Sequence, residues 1–196
     1  MNQLIIISHP KKQSFSHDIS KELKRQFEKL GHNVKIRDLY QINLDPVLTE
    51  EEQDSNKLGE FRQEIMTEQK YIYWADEITI IYPLWWNAFP AILKGYIDRV
   101  FTNGFAFQIG PNGPEGLLKR KKVQLITTAG MNEDSLVASK IYEGLKITQD
   151  HGVFEFCGME VMNHMYVTRV TSLSEKEKMD VLNQLVNKVV GKEVNA

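Results

Sequence analysis

Residues Tyr82 to Phe101 read YPLWWNAFPAILKGYIDRVF, and they decide how the rest of the chain is organised. An apolar run, Glu77-Ile-Thr-Ile-Ile-Tyr82, enters an aromatic turn, Pro83-Leu84-Trp85-Trp86-Asn87. Pro90 then opens a stretch in which Phe89, Ile92, Leu93, Tyr96, Ile97, Val100 and Phe101 recur at helical spacing. Such a strand, turn and helix sets a flat aromatic shelf at the carboxyl end of a strand. The same pattern also serves plain packing, because tryptophan is common in cores and interfaces, and periodicity does not separate the two.

Outward from this stretch, strand and helix patterns alternate. Leu4 to Ser8 is a short continuous apolar run, as a parallel strand buried on both faces requires, and Phe15, Ile19, Leu23, Phe27 and Leu30 follow at helical spacing until Gly31. His32 to Arg37 reads as a weaker strand, Asn43 to Asp54 as a turn-rich acidic loop, and about Phe61 to Trp74 as a helix. Lys122 to Thr128 is strand-like, Ser135 to about Gln149 helical, and Val153 to Thr168 contains a fifth strand. Ser174 and Glu177 form a capping box ahead of a final helix with Leu182, Leu185, Val186, Val189 and Val190 on its buried stripe. Five strands alternating with five helices specify an α/β fold. Right-handed crossovers predict a flavodoxin-like, five-stranded parallel sheet of order 2-1-3-4-5 flanked by helices.

The 196 residues, 42% hydrophobic, suffice for one sizeable core, so a single domain over 1–196 is expected. A net charge of -2 provides no footprint for nucleic acid and no polybasic anchor. No apolar run approaches the ~20 residues a bilayer span requires, so a cytoplasmic chain without membrane insertion is expected. Cys157 is the sole cysteine, which excludes an internal disulfide, and the Cys and His spacing suits no zinc site, so no metal is expected. In Phe154-Glu-Phe-Cys-Gly158 that thiol reads as buried and inert. The cluster Glu50, Glu51, Glu52 and Asp54 reads as a solvated loop and helix start, and Lys119 to Lys122 as a water-facing strand entrance.

This topology puts a ligand in the crevice outside the strand carboxyl ends, beside the switch point between the first and third strands. The loop Ser8-His9-Pro10-Lys11-Lys12-Gln13-Ser14-Phe15-Ser16 feeds straight into the first helix, whose unpaired N–H groups and hydroxyls suit a phosphate. Ser14 or Ser16 would equally cap that helix, and His9 would equally pack as a loop histidine. Neither GxGxxG nor GxxxxGK[ST] occurs there, which disfavours a Rossmann dinucleotide site and excludes a P-loop. After the fourth strand comes Thr127-Thr128-Ala129-Gly130, whose small residues let backbone approach a planar ring, or else form an ordinary strand-end turn.

Pro83, Leu84, Trp86, Pro90 to Gly95, Arg99, Val100 and Phe101 resemble the flavin-binding segment of the NAD(P)H:quinone oxidoreductases. His9 with Ser14 and Phe15 resembles that family's H-x(4)-S-F diphosphate loop, and Thr127 to Gly130 resembles its TTGG with Ala129 in place of a glycine. The resemblance extends to Glu68-Gln69-Lys70, Ala75-Asp76 and Phe156-Cys157-Gly158, and so covers nearly the whole chain. It implies that Ser14, Phe15 and Ser16 hold the flavin phosphates with His9 alongside. Pro83, Leu84, Trp85, Trp86 and Asn87 would line one edge of the isoalloxazine and Thr128, Ala129 and Gly130 the other. Trp86, Phe107 and Gly130 would border the substrate slot, where nicotinamide and quinone alternate.

The resemblance further implies FAD, with FMN as the alternative, NADPH or NADH as hydride donor, quinones as acceptors in a ping-pong cycle, and a homodimer completing the site. The tyrosine and histidine that some members place after TTGG have ungapped counterparts in Ser135 and Ile141, so no catalytic acid or base carries over. Tyr142 and Glu133 lie close by in sequence, and Tyr142 reads as a packing residue. Phe105-Ala-Phe107-Gln-Ile109 resembles the family strip F-A-Y-x-Y with both tyrosines lost, which predicts a more apolar substrate roof. Ile109 to Gly116 reads as a lid or a plain connector. The alternative readings are a flavodoxin-type electron carrier, against which the near-neutral charge argues, and a redox-sensing regulatory subunit of a potassium-efflux system. A receiver-type signalling domain needs acidic residues where this chain has Ser8-His9-Pro10.

Overall fold

The computed structural model describes residues 1–191, so residues 192–196 of the expected single domain lie outside the described residues. In chain order the elements are β1 (Asn2–Ile7), α1 (Phe15–Lys29), β2 (Asn33–Asp38), α2 (Glu50–Lys57), α3 (Gln63–Trp74), β3 (Glu77–Pro83) and α4 (Ala91–Val100). There follow β4 (Phe107–Gly110), β5 (Gly113–Gly116), β6 (Lys122–Thr128), α5 (Glu133–Ala138), α6 (Ile141–Leu145), a π-helix (Lys146–Glu155), β7 (Glu160–Val167) and α7 (Glu175–Val190). Five strands pair in parallel in the order β2-β1-β3-β6-β7, which among the sheet strands is the expected 2-1-3-4-5.

Every residue of β3 is buried, because helices cover both faces of the central strands. Period-two alternation divides the core accordingly. Ile5, Ile7, Ile81 and Ile126 pack with Ile19, Leu23 and Phe27 of α1 and Leu185, Val186 and Val189 of α7. Leu4, Ile6, Ile78, Ile80, Tyr82 and Leu125 pack with Ile65 and Ile72 of α3 and Leu93, Tyr96 and Ile97 of α4. Gly31 ends α1 with φ 78, as its placement predicts, and the capping box of Ser174 and Glu177 opens α7. Cys157 is buried, and loss of water around the thiol pushes its pKa up to about 11, which disfavours the thiolate form. Among the described residues no helix is long and apolar enough to cross a membrane, and no cluster of potential ligands could hold a metal ion.

Several segments differ from the sequence expectations. The acidic loop contains helix α2, opened by Thr49, whose hydroxyl accepts from Glu52 N. Glu52 is not solvated. Its side chain and that of Arg99 are each 1% exposed, joined by Nε–Oε1 and Nη2–Oε2 bonds of 2.9 and 2.8 Å. Arg99 also bonds Glu64 and, at 2.6 Å, the carbonyl of Asp45, so α4 holds the loop and α2 as one unit. Gly95 makes that approach possible, since a Cβ there would lie 2.2 Å from the Pro46 carbonyl oxygen.

The helix expected from Ser135 to about Gln149 is broken at Lys140 (φ 54) and continues as the π-helix. The roof and lid segments form an antiparallel hairpin, β4–β5. In the basic run, Lys121 turns inward, its Nζ donating to the carbonyls of Tyr73 and Ala75, and burial holds it below the usual lysine pKa.

Candidate functional site

Backbone hydrogen bonds carry the sheet past its strand ends and bring the predicted loops together. Ser8 N donates to Ile81 O at 2.9 Å, Leu84 N to Thr128 O at 2.8 Å, and Ala129 N to Val167 O at 2.8 Å. The cleft so formed, about 160 Å³, is lined by His9, Phe15, Ser16, Pro83, Leu84, Trp85, Thr128 and Gly130, with Val170 and Thr171 from the loop after β7. The sequence reading did not include Val170 and Thr171. The signal for them was topological, because the loop after the edge strand opens onto the same carboxyl-end crevice.

Ser14 is the N-cap of α1, and its hydroxyl accepts from His17 N at 3.4 Å. Capping is therefore real, and it coexists with the open helix start, where the N–H groups of Phe15 and Ser16 have no acceptor within the helix. Ser16 Oγ lies 3.4 Å from Thr128 Oγ1, which ties the helix start to the loop after β6. The Lys11 N–H donates to His9 Nδ1 at 3.1 Å, so neutral His9 carries its proton on Nε2. Burial is the largest influence on His9 and depresses its pKa. Ser8, wholly buried at the floor of the loop, has a hydroxyl with no hydrogen-bond partner among the described residues.

The aromatic turn is a strained four-residue reversal from Trp85 to Ala88, with Ala88 N donating to Trp85 O at 3.0 Å. Trp86 and Asn87 have φ of 53 and 54, the signature of a type I′ turn, in which asparagine is at home and tryptophan is not. The Trp86 side chain is 99% exposed, so nothing in the chain compensates that conformation. Trp86→Gly should therefore raise stability by about 1 kcal/mol, or roughly 2–4 °C in thermal midpoint. A lowered midpoint in dilute solution would show that the ring packs against something.

Ser14, Trp86, Asn87 and Ala129 do not line the cleft itself; Ala129 is buried and holds the loop through backbone bonds to Val167 and Val170. Phe107 lies apart from Trp86 and Gly130 in the chain. It packs on Phe156 at 5.4 Å beside a separate cavity of about 590 Å³. The Tyr142 ring lies tilted against Tyr166, centroids 4.3 Å apart, and burial together with the Glu133 charge raises its pKa, as befits a packing residue.

The missed polar feature of the site is His17. Its Nε2 lies 3.0 Å from Asp38 Oδ2 and its Nδ1 2.9 Å from Ser14 Oγ, and both His17 and Asp38 are buried.

The chemistry of this cleft fits a flavin. An apolar wall of Pro83, Leu84 and Trp85 faces small polar residues, and a helix start with hydroxyls and the Nε2–H of His9 is ready for phosphate. The orphaned Ser8 hydroxyl beneath the loop adds an unspent polar group.

Residues 1–190 match the family described as Flavodoxin-like fold. A protein of Haemophilus influenzae, named as an uncharacterized NAD(P)H oxidoreductase, is 35% identical over 193 residues, 98% of this chain and 96% of that one. The mouse protein named ribosyldihydronicotinamide dehydrogenase (quinone) is 28% identical over 199 residues, 91% of this chain and 86% of that one. Among solved structures, the NAD(P)H:quinone oxidoreductase from Methanothermobacter marburgensis aligns with a TM-score of 0.85 at 26% identity, covering 95% of this chain and 94% of that one.

Proposed function

The chain belongs to the flavodoxin-like fold family, among the NAD(P)H oxidoreductases, and from that premise we propose that it is a flavin-dependent NAD(P)H:quinone oxidoreductase working by a ping-pong cycle. The observation that carries the proposal is the single cleft in which Trp85, Leu84, Ser16, His9 and Gly130 meet at the carboxyl ends of β1, β3 and β6.

The chemistry supplied by a bound flavin is two successive hydride transfers, in from NAD(P)H and out to the quinone, which avoids a one-electron quinone radical. The chain's part is to bind and orient. The α1 start with Ser14, Phe15, Ser16 and His9 holds phosphate. Pro83, Leu84 and Trp85, leading into the strained turn at Trp86 and Asn87, supply the apolar wall, and Thr128 and Gly130 set backbone dipoles opposite it. No side chain of the cleft is assigned as a proton donor, and Tyr142 is occupied in packing.

FAD is the proposed cofactor because the long loop from His9 to Ser16 resembles that of the FAD-using quinone reductases; FMN is the other outcome of the same test. The proposal includes one domain, a cytoplasmic setting and a homodimer. Exposed Trp85, Trp86, Met131 and Ile109 support the dimer, and a neighbouring copy would bring Phe107 to the substrate slot.

Mass and absorbance analysis of flavin released from the purified protein tests the proposal, and a protein that neither carries nor takes up flavin would refute it. Trp86→Ala should lower turnover of bulky quinones several-fold to about tenfold while flavin is retained, because stacking adds ~0.5–1.5 kcal/mol. Unchanged quinone kinetics would remove Trp86 from the substrate slot.

A further inference from the structure

Asp38 Oδ2 accepts from Gln41 Nε2 at 2.6 Å, and its Oδ1 accepts from Tyr40 N at 3.1 Å and Gln41 N at 3.4 Å. With these donors around it Asp38 serves as an acceptor, so the hydrogen between it and His17 is placed on His17 Nε2. In neutral His17 the other nitrogen, Nδ1, is then bare. Ser14 must spend its hydroxyl proton on Nδ1 at 2.9 Å, while its oxygen accepts from His17 N. In that state Ser14 turns a lone pair, not a proton, toward any anion at the start of α1. A proton on Nδ1 reverses the bond: His17 donates to Ser14 Oγ, and the hydroxyl proton is released to point outward.

We propose that His17, held by Asp38, is a positioning residue that sets the polarity of the Ser14 hydroxyl, so that phosphate binding at the α1 start takes up a proton on His17. The proposal rests on the flavin site above and extends it to the pH response of cofactor binding. The titratable groups facing His17 are Asp38 from β2 and His9 from the β1–α1 loop, whose ring centroid is 6.3 Å away. Lys11 of that loop acts on His9, Asp18 lies next in α1 on the exposed side, and β3 and α7 present apolar residues to α1. The anion gains both a donor hydroxyl and a neighbouring cation, and the buried Asp38 carboxylate gains a full ion pair.

The test is calorimetric titration of FAD into the flavin-stripped full chain, in two buffers of different ionisation enthalpy, across roughly pH 6 to 8.5. Wild type should take up close to one proton per flavin at the upper end, with affinity falling by up to about tenfold per pH unit. His17→Asn places an amide N–H toward Ser14 at every pH, so its uptake should vanish and its affinity should flatten. Equal uptake in wild type and His17→Asn, or none in wild type, would overturn the proposal. If His17→Asn does not fold, Asp38→Asn removes the acceptor that holds the His17 hydrogen on Nε2, so its proton uptake should differ from wild type, and unchanged uptake counts against the proposal. Inorganic pyrophosphate serves as a second probe, read as the difference between wild type and variant. Its binding with His17-dependent uptake in a chain that refuses FAD would retire the flavin reading and leave this one standing; failure of both probes overturns both.

Discussion

Ser14→Asp should lose flavin while keeping its fold. Aspartate is as good an N-cap as serine, and it suits the positive end of α1, so the thermal midpoint should hold. The new charge, however, lies where the phosphate must come. At about 4 Å and an effective dielectric near 20, like charges repel by about 4 kcal/mol, roughly a thousandfold in affinity. Ser16→Asp is less informative, because Ser16 is buried against Thr128 and a charge there would damage the fold itself. Equilibrium titration of flavin into the stripped variant reads the effect, with Ser14→Asn as the neutral cap. Wild-type affinity in Ser14→Asp would place the phosphate elsewhere.

The largest stability effect should come from Glu52→Ala. It leaves the Arg99 guanidinium buried with only the half-exposed Glu64 and one carbonyl for company. Breaking one side of a buried pair costs about 3–5 kcal/mol, which for a chain of this size lowers the thermal midpoint by roughly 6–20 °C. Neighbouring Glu51, 86% exposed, should tolerate alanine within about 0.5 kcal/mol. Replacing Glu52 and Arg99 together by methionine should recover most of the loss, because neither charge is then stranded. Equal, small effects at Glu51 and Glu52 would mean that the pair does not hold α2 to α4.

The two helix-covered layers and the sheet order were legible because the central strands carry uninterrupted apolar runs and α1 and α4 carry clean apolar stripes. The cleft was legible for the same reason, since topology puts those loops together and their residues are unusual. Helix α2 was not, because EEEQDSNK has no apolar stripe and its anchoring depends on Arg99, 47 positions away in sequence. The π-helix after α6 was not legible either, because its polar anchors lie far away in sequence, with Gln149 bonded to Tyr82 of β3 and Asp150 to His164 of β7. His17 escaped notice because a lone histidine one turn into a helix means little until Asp38, 21 positions on, is seen to close on it.

The central claim is that one cleft serves a hydride donor and a quinone in turn through a bound flavin. Anaerobic mixing of the flavin-loaded protein with NADPH or NADH, with no acceptor present, tests it most directly. The account predicts that the absorbance of oxidised flavin disappears in a single turnover, that it returns when a quinone is added, and that steady-state double-reciprocal lines are parallel. A flavin that stays oxidised under both nucleotides, or is reduced only when the quinone is already bound, would contradict it.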